Sequence, residues 1–143
     1  MKILFTILCG LLYCIGTPFG WSYEITSIYV CIYLWPILCT LSTVPIIWQS
    51  IKLINRKTIT GIILTILSFV YTAYYGYYTL EAINRYNIND PNAFTNCMLD
   101  LISLASYLGI SYETLNILIY VIGFITIIAF NFAISRIIKK LYS

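Results

Sequence analysis

Two short stretches in this chain have residue types able to do chemistry: Ser22-Tyr23-Glu24 and Ser111-Tyr112-Glu113. They lie 89 positions apart, and each runs straight into a long apolar segment. Two carboxylates at equivalent points, Glu24 and Glu113, suit cation binding or an acid–base pair. The simpler role is that of a helix start. A serine hydroxyl accepts an unpaired first-turn N–H, and a glutamate in that turn faces the positive end of the helix dipole. The serine ahead of each glutamate favours capping. Tyr23 and Tyr112 then read as anchors at a membrane–water boundary.

A second group is Tyr71, Tyr74, Tyr75 and Tyr78, whose i, i+3, i+4, i+7 spacing lines one helix face. Such a face stacks on a sugar or a partner, but its commoner role is an interfacial aromatic belt. Asn116 and Asn131 lie within the last apolar run, and Gln49 near the inner end of an earlier one. In lipid, an amide side chain finds its partner on a neighbouring helix or across an oligomer interface. Glu24, Glu113, the four tyrosines and Asn116 are therefore the candidate interaction residues.

Catalytic chemistry finds less. The chain has no histidine, which removes the commonest general base and the commonest neutral metal ligand. Its five cysteines show no C-x-x-C spacing; four lie in apolar segments, and Cys97 alone is placed for water. There is no phosphate-binding glycine loop, nucleophile elbow or H-E-x-x-H motif. The expectation is a non-enzymatic protein with no catalytic residue, cofactor or metal site.

The elements that must hold these residues are set by composition. Of the 143 residues 61% are hydrophobic and 9% charged, with a mean hydropathy of +0.90. Soluble domains keep about 25% of their residues charged. This surface cannot be covered with polar groups, so the expected fold class is an all-α membrane bundle with the lipid bilayer as its solvent. The net charge of +3 implies membrane orientation, not nucleic-acid binding.

Residues 25–48, 58–80 and 114–135 contain no charged side chain. The first of these runs is about 36 Å long as a helix, enough for a bilayer core of about 30 Å. Pro36 and Pro45 inside it are tolerable as kinks if neighbours satisfy the freed carbonyls. Asp90-Pro91 reads as the start of an amphipathic helix that Gly109 closes and that lies at the outer boundary. Residues 1–16, with a basic start and a short apolar stretch, fit either a secretory signal peptide or a first transmembrane helix.

The 89-residue offset carries beyond the Ser-Tyr-Glu motifs. Phe5-Thr6 falls on Phe94-Thr95, and Ile28 on Ile117, without a gap. An internal duplication is the economical reading. The first copy occupies 17–57, a span 58–80 follows, and the second copy occupies 81–143 with its outer helix, span and basic tail. Lys52, Arg56, Lys57, Arg136, Lys139 and Lys140 fall on one side of these spans, and all five acids on the other. The positive-inside rule makes the basic side, with the C-terminus, cytoplasmic. Were the first segment a fourth span, Lys2 would lie on that side too.

Gly109-Ile110-Ser111-Tyr112-Glu113-Thr114-Leu115-Asn116-Ile117-Leu118-Ile119-Tyr120 and Thr17-Pro18-Phe19-Gly20 resemble phrases in uncharacterised small multi-pass membrane proteins of gut Bacteroidetes and their tailed phages. That resemblance implies a bacterial inner membrane and transfers no site residue. The expected role is a homo-oligomeric structural or protein-interaction component. The alternative is a holin-like pore former or small channel.

Overall fold

The computed structural model describes residues 1–143 and is helical throughout, without strands. Its helices are α1 (Lys2–Gly16), α2 (Tyr23–Ile54), α3 (Thr58–Arg85), α4 (Ala93–Leu108) and α5 (Tyr112–Lys140). α1, extended by the single turn Thr17–Phe19, and α2, α3 and α5 are each long and apolar enough to cross a membrane. α4 is a shorter apolar helix.

The expected starts hold. Ser22 Oγ accepts the Ile25 N–H at 3.3 Å and Ser111 Oγ accepts the Thr114 N–H at 3.2 Å, with Glu24 and Glu113 in the first turns. Gly20 and Gly109 precede them in the left-handed region, at φ +68° and +69°. Only glycine adopts that conformation cheaply, so each helix–turn–helix corner has its glycine where the chain reverses. The start of α4 differs from expectation. Asp90 Oδ1 accepts the Asn92 N–H at 2.8 Å, forming a turn, and the helix begins only at Ala93. The short side chain competes with the helical backbone here.

α2 and α5 are not regular. Each contains a wide π-helical stretch soon after its cap, Ile28–Leu34 in α2 and Leu118–Gly123 in α5. In α2 the stretch ends two residues before Pro36, whose ring nitrogen has no hydrogen to donate. In α5 a Cβ on Gly123 would stand 3.0 Å from the Leu118 carbonyl oxygen, so glycine fits that turn. α2 is interrupted again at Ser42–Thr43, ahead of Pro45. There Ser42 Oγ donates to the Cys39 carbonyl at 2.6 Å and Thr43 Oγ1 to the Thr40 carbonyl at 2.6 Å. Thr40 and Thr79 hydroxyls donate to the Pro36 carbonyl at 3.0 and 3.3 Å. The carbonyls of Pro36, Cys39 and Thr40 thus accept hydroxyl donors inside the bundle.

α2, α3 and α5 form the central bundle. α3 runs antiparallel to α2: Gly61 backs onto Ile54, Thr72 meets Thr43, and Ile88 just beyond α3 donates its N–H to Tyr33. α5 runs parallel to α2, joined through Ser42–Asn131 and Gln49–Tyr142. Ile46, Leu53 and Ile138 pack at the basic end.

α1 and α4 sit at the acid end. α1 packs on the first turns of both α2 and α5. Gly16 touches Thr26, Cys9 Sγ lies 3.3 Å from the Tyr23 hydroxyl, and the Phe5 ring meets Tyr112 edge-on. Lys2 is one turn from Phe5, which sets it beside the acids and away from the basic cluster. A helix descending antiparallel to α2 would have carried Phe5 far below the level of Tyr112.

Candidate functional site

Positions 89 apart meet at the centre of the molecule. Trp35 stacks on Phe124 at 5.9 Å with an interplanar angle of 3°. Seven residues on, Asn131 Nδ2 donates to Ser42 Oγ at 2.7 Å. The outer contacts are exchanged between the same positions. Phe5 meets Tyr112 at 5.8 Å and 76°, while Phe94 meets Tyr23 at 5.8 Å and 77°. Ile28 and Ile117 are both buried, as are Gly16 and Ala105.

Between α1 and α4, over the α2–α5 pair, lies a cleft of about 320 Å³ lined by 22 residues, 20 of them hydrophobic. Its two polar lining residues, Ser27 and Asn116, are again 89 apart. Each is turned back onto its own helix: Ser27 Oγ donates to the Tyr23 carbonyl at 2.8 Å and Asn116 Nδ2 to the Tyr112 carbonyl at 2.9 Å. Cys97 also faces this cleft, against the expectation that it meets water, and burial pushes its thiol up. The exposed cysteine is Cys14.

The sequence candidates separate. Glu24 and Glu113 stay at the caps, Glu24 exposed and Glu113 half-buried, and no cluster of metal-ligating side chains forms. Asn116 lines the cleft without reaching a neighbouring helix. Of the four tyrosines, Tyr74 and Tyr78 are exposed, whereas Tyr71 and Tyr75 are half-buried. Tyr71 donates to Asn131 Oδ1 at 2.8 Å and shares a hydroxyl contact with Tyr75 at 3.2 Å. It sits midway along α3, about 20 Å from either end. A tyrosine at that depth needs a hydroxyl partner, and the buried amide of Asn131 supplies it.

The centre of the bundle is thus a polar seam of Ser42, Thr43, Tyr71, Thr72 and Asn131, with every buried side-chain polar atom hydrogen-bonded. Asn131 and Thr43 are fully buried. Hydroxyls spaced along α2 and α3 signalled part of this seam, but their pairing needed the helix register.

A second polar join ties α4 to α3. Arg85 pairs with Asp100 at 3.0 Å, and the Tyr86 hydroxyl donates to the same carboxylate. The Tyr86 contact, and then Arg85, hold the Asp100 carboxyl below its ordinary value. Burial, and then the Asp100 carboxylate, push the Tyr86 phenol up to about 12.

Comparison of the chain with protein-family models, curated proteins and solved structures finds no match.

Proposed function

We propose that this chain is a non-enzymatic multi-pass protein of a bacterial inner membrane, its C-terminus cytoplasmic, serving as an oligomeric structural or protein-interaction component. The observation that carries this reading is the sealed seam. Ser42, Asn131 and Tyr71 satisfy one another at the centre of α2, α3 and α5, so a single chain offers water no polar path. What it offers instead is an apolar exterior, including Tyr74, Tyr77 and Tyr78 on α3, to lipid and to other membrane proteins.

Two further parts belong to the proposal. The chain is an internal duplication, α1–α2 and α4–α5, joined by the unduplicated α3; the exchanged ring pairs Phe5–Tyr112 and Phe94–Tyr23 support it. α1 is retained in the mature protein as the counterpart of α4, lying at the outer boundary and leaving three spans. Its packing on both α2 and α5 supports this, and so does the bare outer face that α3 has no second copy to cover.

Membrane potential, read with a dye in bacteria expressing the chain, tests the central reading. An intact potential alongside abundant inserted protein is the expected result. Rapid collapse at modest expression, abolished by disrupting α5, would refute it and assign the chain to the holin-like pore formers.

A further inference from the structure

We infer that the cleft between α1 and α4 holds one acyl chain of a membrane phospholipid. The inference rests on the membrane placement proposed above, with Tyr23 and Tyr112 at the outer boundary. Its walls come in pairs from the two halves: Phe5 with Phe94, Leu12 with Leu101, and Tyr23 with Tyr112. Along α2 it reaches from Tyr23 to Trp35, about 18 Å of helix. One leaflet of a bilayer whose apolar core is about 30 Å thick offers about 15 Å. Trp35, stacked on Phe124, is the lining residue of α2 farthest from Tyr23.

The lining has little to bind a polar ligand: 20 of its 22 residues are hydrophobic, Ser27 and Asn116 donate to backbone carbonyls, and the Tyr23 hydroxyl lies against Cys9 Sγ. A polar solute would leave its own groups unpaired there, whereas a lipid tail loses nothing. Charges of both signs neighbour lining residues in the chain: Lys2 is one turn from Phe5, and Glu24 and Glu113 directly follow Tyr23 and Tyr112 in the first turns of α2 and α5. That mixture complements the phosphate and the ammonium of a phosphoethanolamine headgroup. The wide π-helical turns of α2 and α5 supply Val30, Cys31, Tyr120 and Val121 to the wall, so both irregularities face the same space. Such bulges recur at functional sites.

The test uses the full chain purified in detergent. Native mass spectrometry should find one phospholipid per chain, retained in the control Ile66→Phe, which alters an exposed side chain of α3 away from the cleft. Filling the cleft with Leu12→Phe and Cys31→Phe should lower occupancy by about tenfold. Equal occupancy in the filled and control chains would overturn the inference, and so would a doubled chain mass without lipid, which gives the cleft to a second copy. Should the filled variant fail to fold, a chain whose only tryptophan is Trp35 (Trp21→Phe, Trp48→Phe) is titrated with phosphatidylethanolamine carrying a dibrominated stearoyl chain. Quenching that saturates near one lipid per chain is expected; quenching that rises without saturation overturns the site. An empty cleft in a chain that leaves the membrane potential intact removes this inference alone.

Discussion

Replacing Asn131 by leucine tests the central seam most directly. Asn131 is fully buried, accepts from Tyr71 at 2.8 Å and donates to Ser42 at 2.7 Å. Leucine has the same branched four-atom side chain and is somewhat larger, so no cavity opens and the loss is chiefly two hydrogen bonds between helices. Such bonds inside membrane proteins average about 0.6 kcal/mol, so the pair is worth about 1.2 kcal/mol. The partners keep other contacts, Ser42 with the Cys39 carbonyl and Tyr71 with Tyr75, so neither hydroxyl is stranded. Tyr71→Phe removes one of the same bonds but strands Asn131 Oδ1 where no water reaches, at a cost of about 1–3 kcal/mol. Asn131→Leu should therefore be the milder change, and the double variant should cost less than the two singles together. Unfolding in mixed micelles of rising dodecyl sulfate fraction, followed by circular dichroism, measures all three. Strictly additive costs, or Asn131→Leu milder than about 0.3 kcal/mol, would refute the seam as a stabilising unit.

Other perturbations address the remaining joints. At Gly61 a Cβ would lie 2.5 Å from the Ile54 backbone nitrogen, so Gly61→Ala should cost about 1–3 kcal/mol or more by prising α3 from α2, read in the same assay. Ser22→Ala and Ser111→Ala each remove a cap worth about 1 kcal/mol, and closely similar losses at both are expected; a neutral result at either would show that its cap contributes nothing. Protection of α4 against hydrogen exchange should depend on pH at both extremes. The lowered Asp100 carboxyl contributes above the ordinary carboxylate range and is lost as pH falls through its folded value. The raised Tyr86 phenol contributes fully below its ordinary value near 10.0 and is lost as pH rises through about 12. Flat protection across that range would detach this join from the stability of α4. Finally, a chain with Cys14 as its only cysteine should react with a membrane-impermeant maleimide from outside the cell, since α1 lies at the acid end; labelling only after permeabilisation would overturn that placement.

Much of this arrangement was legible in the sequence, because long uncharged apolar runs leave the chain few choices other than helices. Uncharged runs became α2, α3 and α5, and serine, glutamate and glycine marked their corners. What escaped was how positions 89 apart face each other. Ile28, Trp35 and Ser42 are seven residues apart, and so are Ile117, Phe124 and Asn131. Seven residues are nearly two helical turns, so these positions form one seam on each helix. Two parallel copies of a helix that share a seam must bring equivalent positions together, as Trp35–Phe124 and Ser42–Asn131 do. The 89-residue correspondence and the seven-residue spacing were each readable in the sequence, yet neither alone implied contact. Exchange of the preceding helices then follows from a twofold relation between the halves, with Phe5 reaching Tyr112 as Phe94 reaches Tyr23. Hydropathy grades α1 with α2, α3 and α5, while its packing on the first turns of α2 and α5 depends on partners that hydropathy does not encode. α1 and α4 differ in what lies beside them. Ala82 at the end of α3, and Tyr86 just beyond it, pack with Phe94 around the buried cluster of Ile28, Ile32 and Ala93. α4 carries Asp100 beside Arg85 and Tyr86, whereas α1 presents an exposed apolar face that includes Ile3, Ile7 and Leu11.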